Sequence, residues 1–156
     1  ASTKFIAHLV NQAVAHELVA LQLVTLLLEK PTDDSVEMAI AFTKECGAML
    51  SEISPGGMHA VFERMRSILH EGEIDRRVQY MIEGIFVVRR KRFEDFPAVP
   101  EELDLVEEDD KITHEIALDE EVDLRPAIDV FQYDPRYEQN EAKYDAIRRE
   151  ILGENG

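Results

Sequence analysis

The stretch LVALQLVTLLLEKPTDDSVEMAIAFTKECGAML, Leu18 to Leu50, decides the architecture. Its opening run is apolar nearly all round, broken by Gln22 and Thr25, and predicts a helix from about Ala13 to Glu29 that is packed on several sides. The run is too short to span a bilayer. Lys30-Pro31 ends it, because the residue before proline avoids the helical region. A second helix then starts cleanly. Asp34 is placed to cap it while Glu37, three residues on, reaches back to complete a capping box. Val36, Ala39, Ile40 and Thr43 follow at i, i+3, i+4, i+7 spacing, and Gly47 is expected to bend or loosen the helix. Two helices with a short connection make an antiparallel hairpin.

Outward from this hairpin the pattern recurs. Ser54 reads as a cap with Pro55 at the first helical position, and the stripe Met58, Val61, Phe62, Met65, Ile68 and Leu69 runs to a stop at Gly72. The next helix opens near Asp75, carries Val78, Met81, Ile82, Ile85 and Phe86, and ends in RRKR, Arg89 to Arg92. The two hairpins are offset by about 39 residues, and two helices per unit at a period near 40 is the signature of HEAT-type repeats. Before them, TKFIAHLVNQ reads as one more helical piece. The sequence therefore predicts an all-α fold, an α-solenoid of HEAT-type antiparallel helical hairpins over residues 1–92. A plain helical bundle is the competing architecture. Two repeats and one partial helix are fewer than such arrays prefer, so further repeats are expected before Phe5.

Charge divides the remainder. The net charge is −16, yet residues 1–92 carry only −1 of it and residues 93–124 carry −13, with Lys111 their only base. Such a field repels nucleic-acid phosphates overall. Residues 93–125 nevertheless contain Leu103, Leu105, Val106, Ile112, Ile116, Leu118, Val122 and Leu124 at intervals of a few positions. That pattern predicts an acidic strap lying along the helical body, its acids facing solvent or bases such as Arg89, Arg90 and Arg92. A flexible linker is the alternative. Residues 126–156 then lead to a terminal helix after Asp134-Pro135, with the stripe Tyr137, Tyr144, Ile147 and Ile151 and a stop at Gly153. That helix is expected to dock along one seam.

Catalytic and metal chemistries fail on spacing. The residues three before His8, His16, His59, His70 and His114 are Phe5, Ala13, Gly56, Ser67 and Lys111, so no Glu-x-x-His pair for a di-iron bundle exists. The acidic stretch has no glycine and cannot form an EF-hand loop. Ser54-Pro55-Gly56-Gly57 lacks the lysine of a phosphate loop and is a helix start. Cys46, the one cysteine, lies on the apolar stripe and reads as a packed thiol. No cofactor and no enzymatic activity are expected.

The blocks FIAHLVNQ, EKPTDDSVEMAIAFTKECG, FERMRSILHEGEIDRRVQYMIEGIF and LDLVEEDDKITHEI resemble the spliceosomal nucampholin family. The likeness covers nearly the whole chain. It implies a helical domain similar to the middle domain of translation initiation factor four G. It also implies a nuclear pre-mRNA splicing factor that escorts a DEAD-box helicase to the spliceosome for exon junction complex assembly, holding the helicase open and inactive. The family's helical domain begins roughly a hundred residues before Phe5, and its best-known helicase-contacting surface lies in those first repeats. No contact residue therefore transfers to this chain by motif. Read from the residues themselves, Arg76, Arg77, Arg89, Arg90 and Arg92 are the candidate partner-binding positions. The partner is the helicase or another spliceosome protein, or, in the second reading, RNA held by the Arg76–Arg92 helix. No membrane partner is implied.

Overall fold

A computed structural model describes residues 1–128 and 130–153. Six α-helices occur among them: α1 (Ser2–Asn11), α2 (Glu17–Glu29), α3 (Asp33–Ile53), α4 (Pro55–Glu71), α5 (Arg76–Arg90) and α6 (Tyr137–Leu152). The chain divides into two compact units, Ala1–Glu120 and Glu121–Gly156. No described helix is long and apolar enough to cross a membrane.

Within the first unit the packing has a ladder order. Each helix touches its sequence neighbour, and α1 packs on α3, α3 on α5, and α2 on α4. Two layers result, α1–α3–α5 and α2–α4, the arrangement of a helical solenoid. Such a unit cannot bury its faces alone, so each pair stacks on the next. The core lies between the layers. Phe42, Phe62, Leu28, Ile40, Leu50 and Met65 are fully buried there. Most of the predicted stripes are buried, including Val36, Ala39, Ile40 and Thr43 of α3 and Met58, Val61, Phe62, Met65 and Ile68 of α4.

The helix ends follow local chemistry, with three departures from expectation. First, α2 starts at Glu17, not near Ala13, because Ala13 has φ 56° and breaks the run. His16 caps α2 instead, its ring Nδ1 accepting the Leu18 N–H at 3.1 Å. Second, the capping box of α3 is Thr32 with Ser35, not Asp34 with Glu37. The Thr32 hydroxyl accepts the Ser35 N–H at 3.1 Å, and the Ser35 hydroxyl accepts the Thr32 N–H at 3.0 Å. Glu37 is drawn across to Arg77 of α5 at 2.7 Å. Third, α3 runs unbroken through Gly47. A Cβ there would meet the Phe93 ring at 2.3 Å, so the glycine is a seat for Phe93, which is 2% exposed.

The other starts and stops fall near their expected positions, except that the Ser54 side chain makes no cap bond and α5 ends at Arg90, leaving Arg92 outside it at φ 54°. Ser54 both ends α3 and starts α4, giving its N–H to Leu50 O and accepting from the Met58 N–H, with Pro55 at the first turn. Asp75 caps α5 by accepting the Arg77 N–H at 3.0 Å. Gly72 ends α4 at φ 68°, a left-handed position that glycine adopts without strain.

In the second unit, Asp134 accepts the Arg136 N–H at 2.9 Å and the Asn140 side-chain amide at 2.6 Å, closing a turn in front of α6. Gly153 ends α6 at φ 69°. Residues 129 and 154–156 of the expected 126–156 segment lie outside the described residues.

Candidate interaction surface

The basic end of α5 builds a groove with α4. Four residues apart on α4, Arg66 and His70 face Glu83, Phe86 and Arg90 on α5, with Leu69 in the floor and Arg89 at the edge. The groove encloses about 670 Å³. Aromatic rings hold two of its arginines, Arg66 and Arg89, in place. Phe62 and Phe86 meet edge to face with centroids 5.3 Å apart. The Arg89 guanidinium lies 4.4 Å over Phe62, and that of Arg66 lies 5.4 Å over Phe86. Each such cation–π contact is worth about 0.5–1 kcal/mol where solvent reaches it. Arg66 also pairs with Glu63 at 3.1 Å, one turn earlier. The result is a shallow apolar floor with planar, pre-oriented donors on its rim.

The five sequence-predicted residues do not form one site. Arg89 and Arg90 share the groove. Arg92 lies with Arg89 on another side, beside Ser51, Glu52 and Pro55. Arg76 and Arg77 sit at the opposite end of α5. Arg77 is occupied by Glu37, whose carboxyl it holds below the ordinary range through a hydrogen bond and its charge. Arg66, His70 and Phe86 were missed as a group. Their signal was present: Arg66 and His70 flank the α4 stripe, as Glu83 and Arg90 flank that of α5.

A second surface is built by the acidic segment, which returns along the body to the α1–α2 corner. The Gln12 side-chain amide donates to Leu103 O at 2.9 Å. The Thr113 hydroxyl donates to Ala13 O at 2.7 Å. His114 gives its N–H to Val14 O at 2.8 Å and accepts the His16 N–H at 3.0 Å, a single bridge of parallel type. The Leu118 N–H donates to the Gln22 side chain at 3.0 Å. Hydrogen bonds rather than apolar burial hold this stretch, for Leu105 is 82% and Ile112 72% exposed. Among the described residues its ion pairs are local, Lys111 with Glu108, Asp95 with Lys91 and Asp123 with Arg125, and none reaches Arg89, Arg90 or Arg92.

Among the described residues no cluster of three or more His, Cys, Asp or Glu is placed to hold a metal. Burial pushes the Cys46 thiol up to about 12. The protein is thus an all-helical solenoid module whose distinctive surfaces are a basic groove and an acidic strap. Its sequence is similar to those of pre-mRNA-splicing factors. It is 56% identical over 98% of its length to the pre-mRNA-splicing factor CWC22 homologs of Danio rerio and Homo sapiens, and 54% identical over 98% to the pre-mRNA-splicing factor cwf22 of Schizosaccharomyces pombe. The chain spans 16–17% of the length of these curated relatives. No family model matches it.

Proposed function

We propose that this chain is part of a non-enzymatic scaffold for pre-mRNA splicing, working in the nucleus by gripping other spliceosome proteins. The observation that carries the reading is 56% identity, over nearly the entire chain, to proteins named as pre-mRNA-splicing factors. A two-layer helical array supports it physically, since stacked repeats offer long rigid faces. The partner implied by the family resemblance is a DEAD-box helicase escorted for exon junction complex assembly. A rigid array acts on such a two-lobed partner by binding one arrangement of the lobes better than the other. The bias is no larger than that difference in binding energy.

A pull-down of the helicase with this chain and with an N-terminally extended version tests the proposal. Retention by the extended chain and weak or no retention by this one is expected, the main surface lying in the earlier repeats. Equal retention would show the surface to be misplaced, and retention by neither would remove the helicase as partner.

The α4–α5 groove favours a second reading, an RNA-binding adaptor, because Arg66 and Arg89 present ring-stacked donors beside an apolar floor that Arg90 also lines. Salt-dependent RNA binding by this chain alone, weakened by charge reversal at Arg89 and Arg90, is its test.

A further inference from the structure

The composition of α2 calls for packing on several sides, yet one side stays open. Val19, Ala20, Val24 and Leu28 are buried, while Leu18 is 47% and Leu26 59% exposed. Leu18, Leu21, Gln22, Thr25, Leu26 and Glu29 recur at i, i+3, i+4, i+7, i+8, i+11 and so form one continuous face. The strap runs beside that face and adds Ile116 and Leu118, each 45% exposed. Two openings that share Leu18 result. One, of about 650 Å³, lies between α2 and Leu118, and the other, of about 250 Å³, between His16 and Ile116. Together they make a trough with aliphatic walls.

The rim is acidic. Glu29, Glu115, Asp119 and Glu120 line the two openings, and no lysine or arginine does. This geometry selects among occupants. RNA is repelled by the rim and by the −13 carried on residues 93–124. A second copy of the chain brings another −16 to the same place. A segment with lysines or arginines flanking two or three aliphatic side chains satisfies both walls and rim. Aliphatic surface exposed in a contiguous, charge-rimmed strip is the usual mark of an interface.

We propose that the trough between α2 and residues 115–120 binds a cationic amphipathic segment of a partner protein. The strap places half of this surface: the pins at Ala13, Val14 and Gln22 set Ile116 and Leu118 opposite α2. Binding covers both walls at once, so it also fastens the strap.

The test uses the whole chain and three short synthetic peptides, one of lysine and leucine with helical spacing, one with serine in place of leucine, and one with glutamate in place of lysine. Fluorescence anisotropy gives affinity, and hydrogen exchange gives location. The lysine–leucine peptide is expected to bind and to slow exchange over α2 and residues 115–120. The double variant L26S/L118S alters exposed side chains, leaves the circular dichroism spectrum unchanged, and is expected to weaken binding by about tenfold or more. The triple variant E115Q/D119N/E120Q is expected to weaken binding and flatten its salt dependence. Equal binding by the serine peptide, or by L26S/L118S, would reduce the effect to bulk charge attraction and overturn the proposal. So would protection of the α2 face in an N-terminally extended chain before any peptide is added, since the chain itself would then be the occupant. These outcomes are independent of the helicase pull-down.

Discussion

The helical body and the acidic strap both carry an aliphatic side chain every few residues, yet they use them in opposite ways. In the body the 3.6-residue period gathers those side chains on one face, and Leu50 and Phe62 end at 1% and 0% exposed. In the strap the backbone is extended or in short 3₁₀ turns, so successive side chains point to different sides and Leu105 stays 82% exposed. The strap is positioned by its backbone: carbonyls and amides of Leu103, His114 and Leu118 bond to the α1–α2 corner and to Gln22. Order and burial are therefore separable. A segment held by a few hydrogen bonds keeps its apolar side chains available to another molecule, and each bond offsets only part of the roughly 1–2 kcal/mol per residue of backbone ordering entropy.

The widest gap between the regions is expected from truncating aliphatic and aromatic side chains. Phe62→Ala empties a fully buried site, removes the partner of Phe86 and takes away the platform under Arg89. A loss of about 3–5 kcal/mol in chemical denaturation is expected. Leu105→Ala in the strap is expected to change stability by no more than about 0.5 kcal/mol. Comparable losses from the two would erase the distinction drawn between the regions.

Next in size is the joint where the regions meet. Phe93 follows the basic run with φ 56° and rests on Gly47. Gly47→Ala places a methyl 2.3 Å from the ring, and neither a helix backbone nor a ring packed at 2% exposure yields easily. A loss of about 1–3 kcal/mol is expected, with faster hydrogen exchange over residues 91–96. Unchanged exchange there would show that Phe93 does not anchor the departure of the strap.

How much of this the sequence discloses depends on the range of the interaction. The two hairpins, the stop at Gly72 and the stripe of α4 follow from local periodicity and capping rules, and they are in the structure. The α3 cap was misread because Glu37 has a long-range alternative, Arg77, forty residues away, that no local rule weighs. Gly47 was misread for the same reason: its function is to admit Phe93, which is distant in sequence. The end of the second helix at Pro31 was legible, but its start was not, since Ala13 adopts a left-handed backbone to present the carbonyl that Thr113 bonds. Of the candidate site, Arg89 and Arg90 were legible as charge at a helix terminus. Their partners Arg66 and His70 lie on another helix and become neighbours only through packing.

A smaller effect is expected from unpinning the strap. His114→Pro removes the N–H that Val14 O accepts, and Thr113→Val removes the hydroxyl donated to Ala13 O. Each loss is worth about 0.5–1.5 kcal/mol at most, because water replaces the lost partner. Hydrogen exchange reads the change better than stability does: the amide of His16 and those of residues 112–118 should exchange faster while α3 and α4 stay protected. Protection lost equally in α3 and α4 would mean that strap and body open as one cooperative unit.

The faintest expected signal is the Glu37–Arg77 pair, which ties α3 to α5 inside the body through charge rather than packing. Its behaviour with pH can be worked out. Arg77 lowers the Glu37 pKa from the ordinary 4.5 through a hydrogen bond and its charge, so the folded carboxyl holds its proton less tightly than the unfolded one. The pair's contribution is then fully present above pH 4.5 and disappears as pH falls through the lowered value. Both groups are open to solvent, so the effect is small and salt-sensitive. A thermal comparison of the protein with Glu37→Gln should show a small deficit for the variant at about pH 7 that shrinks on acidification and vanishes once the pH has fallen through the lowered Glu37 value. A deficit unchanged by pH would assign the loss to hydrogen bonding or shape at Glu37, and charge would drop out of the account of how α3 and α5 are held together.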